Sequence, residues 1–145
     1  MSMQTIVMGA DHAGFALKEA VKVHLIRRGA EVRDLSPRFT ASDDYPAIGR
    51  KVATAVAKDR NARGILVCGS GVGVAIAANR VRGARAVDGH TPTKTKLARE
   101  HNDVNILTLS GWSMKPAAAA KLVDVFLSTP ASTAARHRRR VKQLG

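Results

Sequence analysis

The stretch Gly64–Asn79, GILVCGSGVGVAIAAN, constrains the fold of this chain more than any other. Ile65, Leu66 and Val67 form a continuous apolar run, the pattern of a strand covered on both faces. Gly69, Gly71 and Gly73 then permit a tight turn whose N–H groups point into one small volume. A helix of small apolar residues beginning near Val72 adds the positive end of its dipole to that volume. The result is an anion site made of backbone. Cys68, the last residue of the strand, faces the same cradle, where a thiol can serve as base or nucleophile. The alternative is a packed thiol beneath a tight strand–helix turn.

On either side of this stretch, strands and helices alternate. Gln4–Gly9 reads as a first strand, followed by a helix to about Arg28 with Leu17, Ala20, Val21, His24 and Leu25 on one stripe. Asp11 is placed to cap that helix and Gly29 to stop it. Glu31–Leu35 is a second strand, and Ser36–Asp44 a loop. Tyr45-Pro46 opens a helix with Ile48, Val52, Ala55 and Val56 facing inward. Ala84–Val87 and Asn105–Leu109 are further strands. Between them lies a helix from about Thr93 to Glu100 and a corner at His101-Asn-Asp103. Pro116–Leu127 is a docking helix, and the basic tail, residues 131–145, is a helix or an arm. This order predicts one domain over residues 1–145, a Rossmann-like three-layer αβα sandwich on a five-stranded parallel sheet. Ligands of such sheets sit at the carboxyl ends of strands, near a switch in strand order. Asp11-His12 and the Cys68 turn both follow strands and can share one cleft.

A chain of 145 residues with 45% hydrophobic content can bury a proper core. The lone cysteine excludes an intrachain disulfide and a multi-cysteine metal knuckle. A net charge of +13 points to nucleic acid, a membrane surface or phosphorylated ligands. Aromatic residues are only 3%, which argues against base-stacking modules and hence against nucleic acid as the partner. No segment approaches a membrane span, and Met1–Thr5 carries no basic flank, so cytoplasm is the expected compartment.

The glycine turn is not a P-loop, because no Lys-Ser/Thr follows its last glycine, and it lacks dinucleotide-site spacing. His12 and His101 stand where chemistry can occur, although a single loop histidine is more often a cap. His24 reads as structural, His90 sits beside Asp88, and His137 lies within an arginine run and reads as surface. Arg136 and Arg140, four apart, would share a helix face and suit a phosphate; a solvated basic tail is the alternative. No cluster has metal-ligand spacing, so neither metal nor cofactor is expected.

Taken together, these pieces resemble the type B ribose-5-phosphate isomerases and the galactose-6-phosphate isomerase subunits. The matching residues are Gly9-Ala-Asp-His-Ala-Gly-Phe15, Asp44-Tyr-Pro46, the Gly64–Gly73 stretch, Ile76-Ala-Ala-Asn79, Arg99-Glu-His-Asn-Asp103 and Arg136-His…Arg140-Val141. The resemblance implies metal-free aldose–ketose isomerisation of a sugar phosphate. It implies that Cys68 moves a proton between C1 and C2 through an enediolate. Ser70 and the amides of Gly69, Gly71, Val72 and Gly73 would stabilise the oxyanion. His101 would open the furanose ring with Asn102 beside it. Asp11, His12 and Tyr45 would contact substrate, and Arg136 and Arg140 phosphate. It also implies dimers or higher oligomers, such as a homodimer or homotetramer, with sites shared across the interface. Some members carry a glutamate just after the turn; here Val74 stands there, which places this chain with the cysteine type.

One departure concerns phosphate. Where the ribose-phosphate enzymes carry an arginine after the fifth strand, this chain has Trp112 within Ser110-Gly-Trp-Ser113. The loop Asp88-Gly-His-Thr91 also differs. Ribose 5-phosphate is the first expectation for substrate, with another tetrose, pentose or hexose phosphate as the alternative. A non-catalytic sugar-phosphate sensor and a nucleic-acid binder are the rival classes.

Overall fold

The structure, a computed structural model, describes residues 4–145. Among the described residues the elements run β1 (Thr5–Ala10), α1 (Phe15–Arg27), β2 (Glu31–Asp34), α2 (Tyr45–Ala57), β3 (Ala62–Cys68) and α3 (Val72–Asn79). They continue with β4 (Ala86–Asp88), α4 (Pro92–Asn102), β5 (Ile106–Ser110), α5 (Pro116–Ser128) and α6 (Ala135–Leu144). All strands are parallel, in the order β2-β1-β3-β5-β4. The expected Rossmann-like sandwich is present.

Crossover handedness sorts the helices into layers. Steps from β1 to β2 and from β4 to β5 move one way across the sheet; steps from β2 to β3 and β3 to β4 move the other. A right-handed crossover in opposite directions puts its helix on opposite faces. Accordingly α1, α4 and α5 bury Leu17, Val21, Leu25, Ala98, Leu122 and Phe126 against Ile65, Val67, Leu107 and Leu109. On the other face α2 and α3 bury Val52, Ala53, Val56, Val74 and Ala78 against Val7, Leu66 and Ile106. Strand alternation sends Leu66 and Cys68 to the α2/α3 side. Register pairs Ala10 with Val67 and Cys68 with Ser110, so β1, β3 and β5 end side by side. Since β2 and β3 lie on opposite sides of β1, the switch in strand order falls between β1 and β3, beside Cys68.

Several local expectations are corrected. Asp11 does not cap α1: the N-cap is Gly14, and Asp11 Oδ1 accepts the Gly14 N–H at 3.0 Å, closing the turn before the helix. The buried stripe of α1 includes Lys18, whose side chain is fully enclosed. Its ammonium donates to Asp34 Oδ2 at 2.6 Å and to the Ser36 carbonyl at 2.8 Å. His24 is structural as expected, lying 2.8 Å from Asp124 of α5. Strand β4 starts two residues late because side chains take its early backbone groups. Asn105 Oδ1 accepts from the Arg85 N–H, and Asn79 pairs with both backbone groups of Ala86. The tail is helical over Ala135–Leu144. Among the described residues no helix is long and apolar enough to cross a membrane.

Candidate active site

The glycine turn closes over the end of β3. Gly71 adopts φ +81°, a left-handed conformation that favours glycine, and begins α3 as its N-cap. This bend aims the Gly71 N–H at Cys68 Sγ, 3.2 Å away. The sulfur thus has a backbone N–H donor within its own turn. Cys68 is buried, only 4% exposed, with Val74 in its packing cluster. Ser70 is exposed, and its Oγ accepts the Val72 N–H at 3.2 Å. Below the turn, two hydroxyls of β5 bind its carbonyls: Thr108 Oγ1 donates to Gly71 O, and Ser110 Oγ to Gly69 O at 2.7 Å. Holding those carbonyls onto β5 fixes the peptide planes that carry the Ser70 and Val72 amides.

The neighbouring loops complete this edge. Asp11, at the end of β1, is buried and donates its N–H to the Val67 carbonyl at 3.3 Å. His12 is held by Asp43, whose Oδ1 accepts the His12 amide at 2.7 Å and lies 3.1 Å from its Nδ1. That side-chain bond, opposed by partial desolvation, raises the His12 pKa above its ordinary 6.5. Tyr45 opens α2 with its ring against Gly73, where an added methyl carbon would lie 2.5 Å from Cε1. On the β4 side of Ser70, Asp88 and His90 pair at 3.0 Å on the wall of a cavity of about 420 Å³ that also meets Lys115.

His101, Asn102, Arg136 and Arg140 lie elsewhere. Helix α4 runs back across the sheet, so its last residues stand at the amino end of β5, opposite the Cys68 edge. From Ile106 to Ser110, the four steps of β5 alone separate the two edges by about 13 Å at roughly 3.3 Å per residue. His101 and Asn102 are in the final turn of α4, not in a corner beyond it; the corner is Asp103, at φ +46°. Buried Arg99 anchors it, donating to Asp103 Oδ1 at 2.8 Å, Val104 O at 2.7 Å and Thr129 O at 2.9 Å. His101 stacks on His137 of α6, ring centroids 4.3 Å apart and planes 8° from parallel. Burial against this stack, together with the charge of His101, Arg136 and Arg140, lowers the His137 pKa. Arg136 and Arg140 lie on the same helix as His137, close enough for their charge to act on its imidazole.

Sequence reasoning missed four residues that support these clusters: Asp43, Thr108, Ser110 and His137. Asp43 lies in a loop without periodicity, Thr108 reads only as a strand residue, and Ser110 only as the first residue of the Ser110–Ser113 segment after the strand. The single available signal was the His101/His137 pair, two imidazoles among cations, hidden because their chain separation is large.

A parallel sheet whose central strand delivers a thiol to a glycine turn at the switch in strand order defines an α/β protein with a candidate base or nucleophile at its ligand edge. Residues 6–144 match the family model described as Ribose/Galactose Isomerase, and the chain belongs to that family. It is 42% identical to ribose-5-phosphate isomerase B of Mycobacterium tuberculosis over 142 residues, covering 97% of this chain and 88% of that protein. The Escherichia coli enzyme of the same name is 39% identical, with 98% and 95% covered. Among solved structures, ribose-5-phosphate isomerase B of Mycoplasma genitalium with bound ribulose 5-phosphate superposes with a TM-score of 0.92. Its identity is 38%, covering 99% of this chain and 95% of that one. The Thermotoga maritima enzyme gives a TM-score of 0.93 at 42% identity, covering 99% and 98%.

Proposed function

We propose that this protein interconverts ribose 5-phosphate and ribulose 5-phosphate, with Cys68 as the proton-transfer base. The observation that carries the reading is the thiol at the end of β3 receiving the Gly71 N–H inside the glycine turn. Ring opening moves the proton of the C1 hydroxyl to the ring oxygen as the C1–O bond breaks, a task for His101. Cys68 as thiolate removes the C2 proton, and that electron pair becomes the C1=C2 bond of an enediolate. Negative charge on O1 is met by the amides of Gly69, Gly71, Val72 and Gly73 and by the Ser70 hydroxyl. Transfer of the O2 proton to O1, with Cys68 returning its proton to C1, turns the C1=C2 bond into the C2 carbonyl and gives the ketose. Asp11, His12 and Tyr45 hold the sugar hydroxyls, and Arg136 and Arg140 hold the phosphate.

The two residue groups stand at opposite edges of one chain's sheet, so one sugar can meet both only if a second copy supplies the second group. This supports a homodimer with shared sites, or a homotetramer built from such dimers. Val72 and Ile76, about half exposed on the outer face of α3 beside the turn, offer an apolar surface for that copy. A free thiol and a phosphorylated substrate fit the cytoplasm.

The test is turnover by purified protein, with chelator present, of ribose 5-phosphate, allose 6-phosphate, galactose 6-phosphate and a tetrose 4-phosphate. Preferred turnover of ribose 5-phosphate is expected. Preference for another sugar contradicts the substrate, and no turnover of any contradicts the isomerase.

A further inference from the structure

We propose that Trp112 determines specificity by stacking its indole on the carbon chain of the sugar phosphate held in the glycine turn. The inference rests on the isomerase reading and deepens it. Trp112 is the only tryptophan, and 78% of it is exposed. Its ring nevertheless has a fixed address: a methyl carbon built on Gly69 would lie 2.4 Å from Cε2 and Cζ2, so the indole lies directly against that glycine. The backbone beneath it is tied to the same turn, with Gly111 N–H donating to Cys68 O at 2.8 Å and Trp112 N–H to Gly69 O at 3.0 Å. Ser113 Oγ donates to Ser110 Oγ at 2.8 Å, which in turn donates to Gly69 O. Thus the indole and the Cys68 turn form one connected unit, and a molecule whose reacting carbons reach Cys68 passes beside an uncovered aromatic surface.

An indole offers apolar area and edge polarity but no positive charge. It therefore favours the C–H face of an open-chain sugar over the phosphate group, leaving phosphate to Arg136 and Arg140. The feature selects for the carbon skeleton more than for the anion.

The sole tryptophan makes the test direct. Emission of the Cys68→Ala protein is titrated with ribose 5-phosphate and, separately, with inorganic phosphate. A saturable change with the sugar phosphate and none with inorganic phosphate is expected. In steady-state assays, Trp112→Ala should raise KM about fivefold to tenfold with a smaller effect on kcat, and Trp112→Phe should recover part of the loss. Unchanged emission at saturating sugar phosphate, or an unchanged KM in Trp112→Ala, overturns the proposal. So does a drop in oligomeric mass of Trp112→Ala by light scattering, which would make the indole a subunit contact. Wild-type turnover separates the failures: a working isomerase with silent Trp112 refutes only this inference, whereas an inactive wild type refutes the reading beneath it.

Discussion

The Gly71 amide donates to the Cys68 thiol across 3.2 Å, and this contact joins the strand that ends at the thiol to the helix that begins at the amide. It sets a backbone N–H donor against the sulfur within the glycine turn. Replacing Cys68 by Ala should lower kcat for ribose 5-phosphate by about 10²- to 10⁴-fold, the usual contribution of a general base. Circular dichroism and sugar-phosphate binding should be nearly unchanged. Retained turnover would remove Cys68 from the mechanism.

Thr108 supports the cradle from below. Thr108→Val keeps the shape and removes the donor to the buried Gly71 carbonyl. A loss of about 1–3 kcal/mol is expected in chemical denaturation, the cost of an unsatisfied buried acceptor. Activity should fall as well, because the Gly71–Val72 peptide, which carries the Val72 amide of the turn, is then free to rotate. A variant with full stability and full activity would show that the turn holds itself.

His12 gives a pH-dependent signal. Its carboxylate partner Asp43 favours the imidazolium, so NMR titration should place the His12 midpoint above 6.5, and Asp43→Asn should lower it. Because the folded value is the higher one, the contribution of this pair to stability is complete below pH 6.5. It is lost as pH rises through the raised midpoint. An unchanged midpoint in Asp43→Asn would contradict the assigned cause.

Lys18 fastens α1 to β2 by an enclosed ion pair with Asp34. Burial opposes ionisation of Asp34, yet Lys18, the Ser36 amide and Lys22 together hold its carboxyl below the ordinary value. Lys18→Met removes one cation and leaves Lys22 at 3.0 Å from Asp34. The expected loss is about 3 kcal/mol, the low end for a broken buried pair. A loss too small to measure by urea denaturation would mean that Lys22 suffices.

Much of this architecture is legible in local chemistry. The Ile65–Val67 run and the glycines after Cys68 specify strand, turn and helix within a few residues, and the left-handed Gly71 bears this out. Lys18 is different: a lysine on a helix reads as solvated, and its burial depends on Asp34, 16 residues later. His101 and His137 meet only because α6 packs on α4, a contact no periodicity encodes. The strand order, which places His101 and Cys68 at opposite edges, likewise follows from crossovers across the whole sheet. Short-range patterns reveal the thiol and its cradle, whereas long-range packing decides which side chains support them.

Two variants test the central claim that Cys68 of one chain and His101 of another act on one sugar. Cys68→Ala and His101→Ala are each expected to be nearly inactive alone. Co-expressed with different tags and purified by both, they should recover activity, because each mixed dimer contains one site with both native residues. At random assembly the unfractionated mixture should show about a quarter of wild-type turnover. No recovery in mixed dimers verified by mass would contradict the shared site.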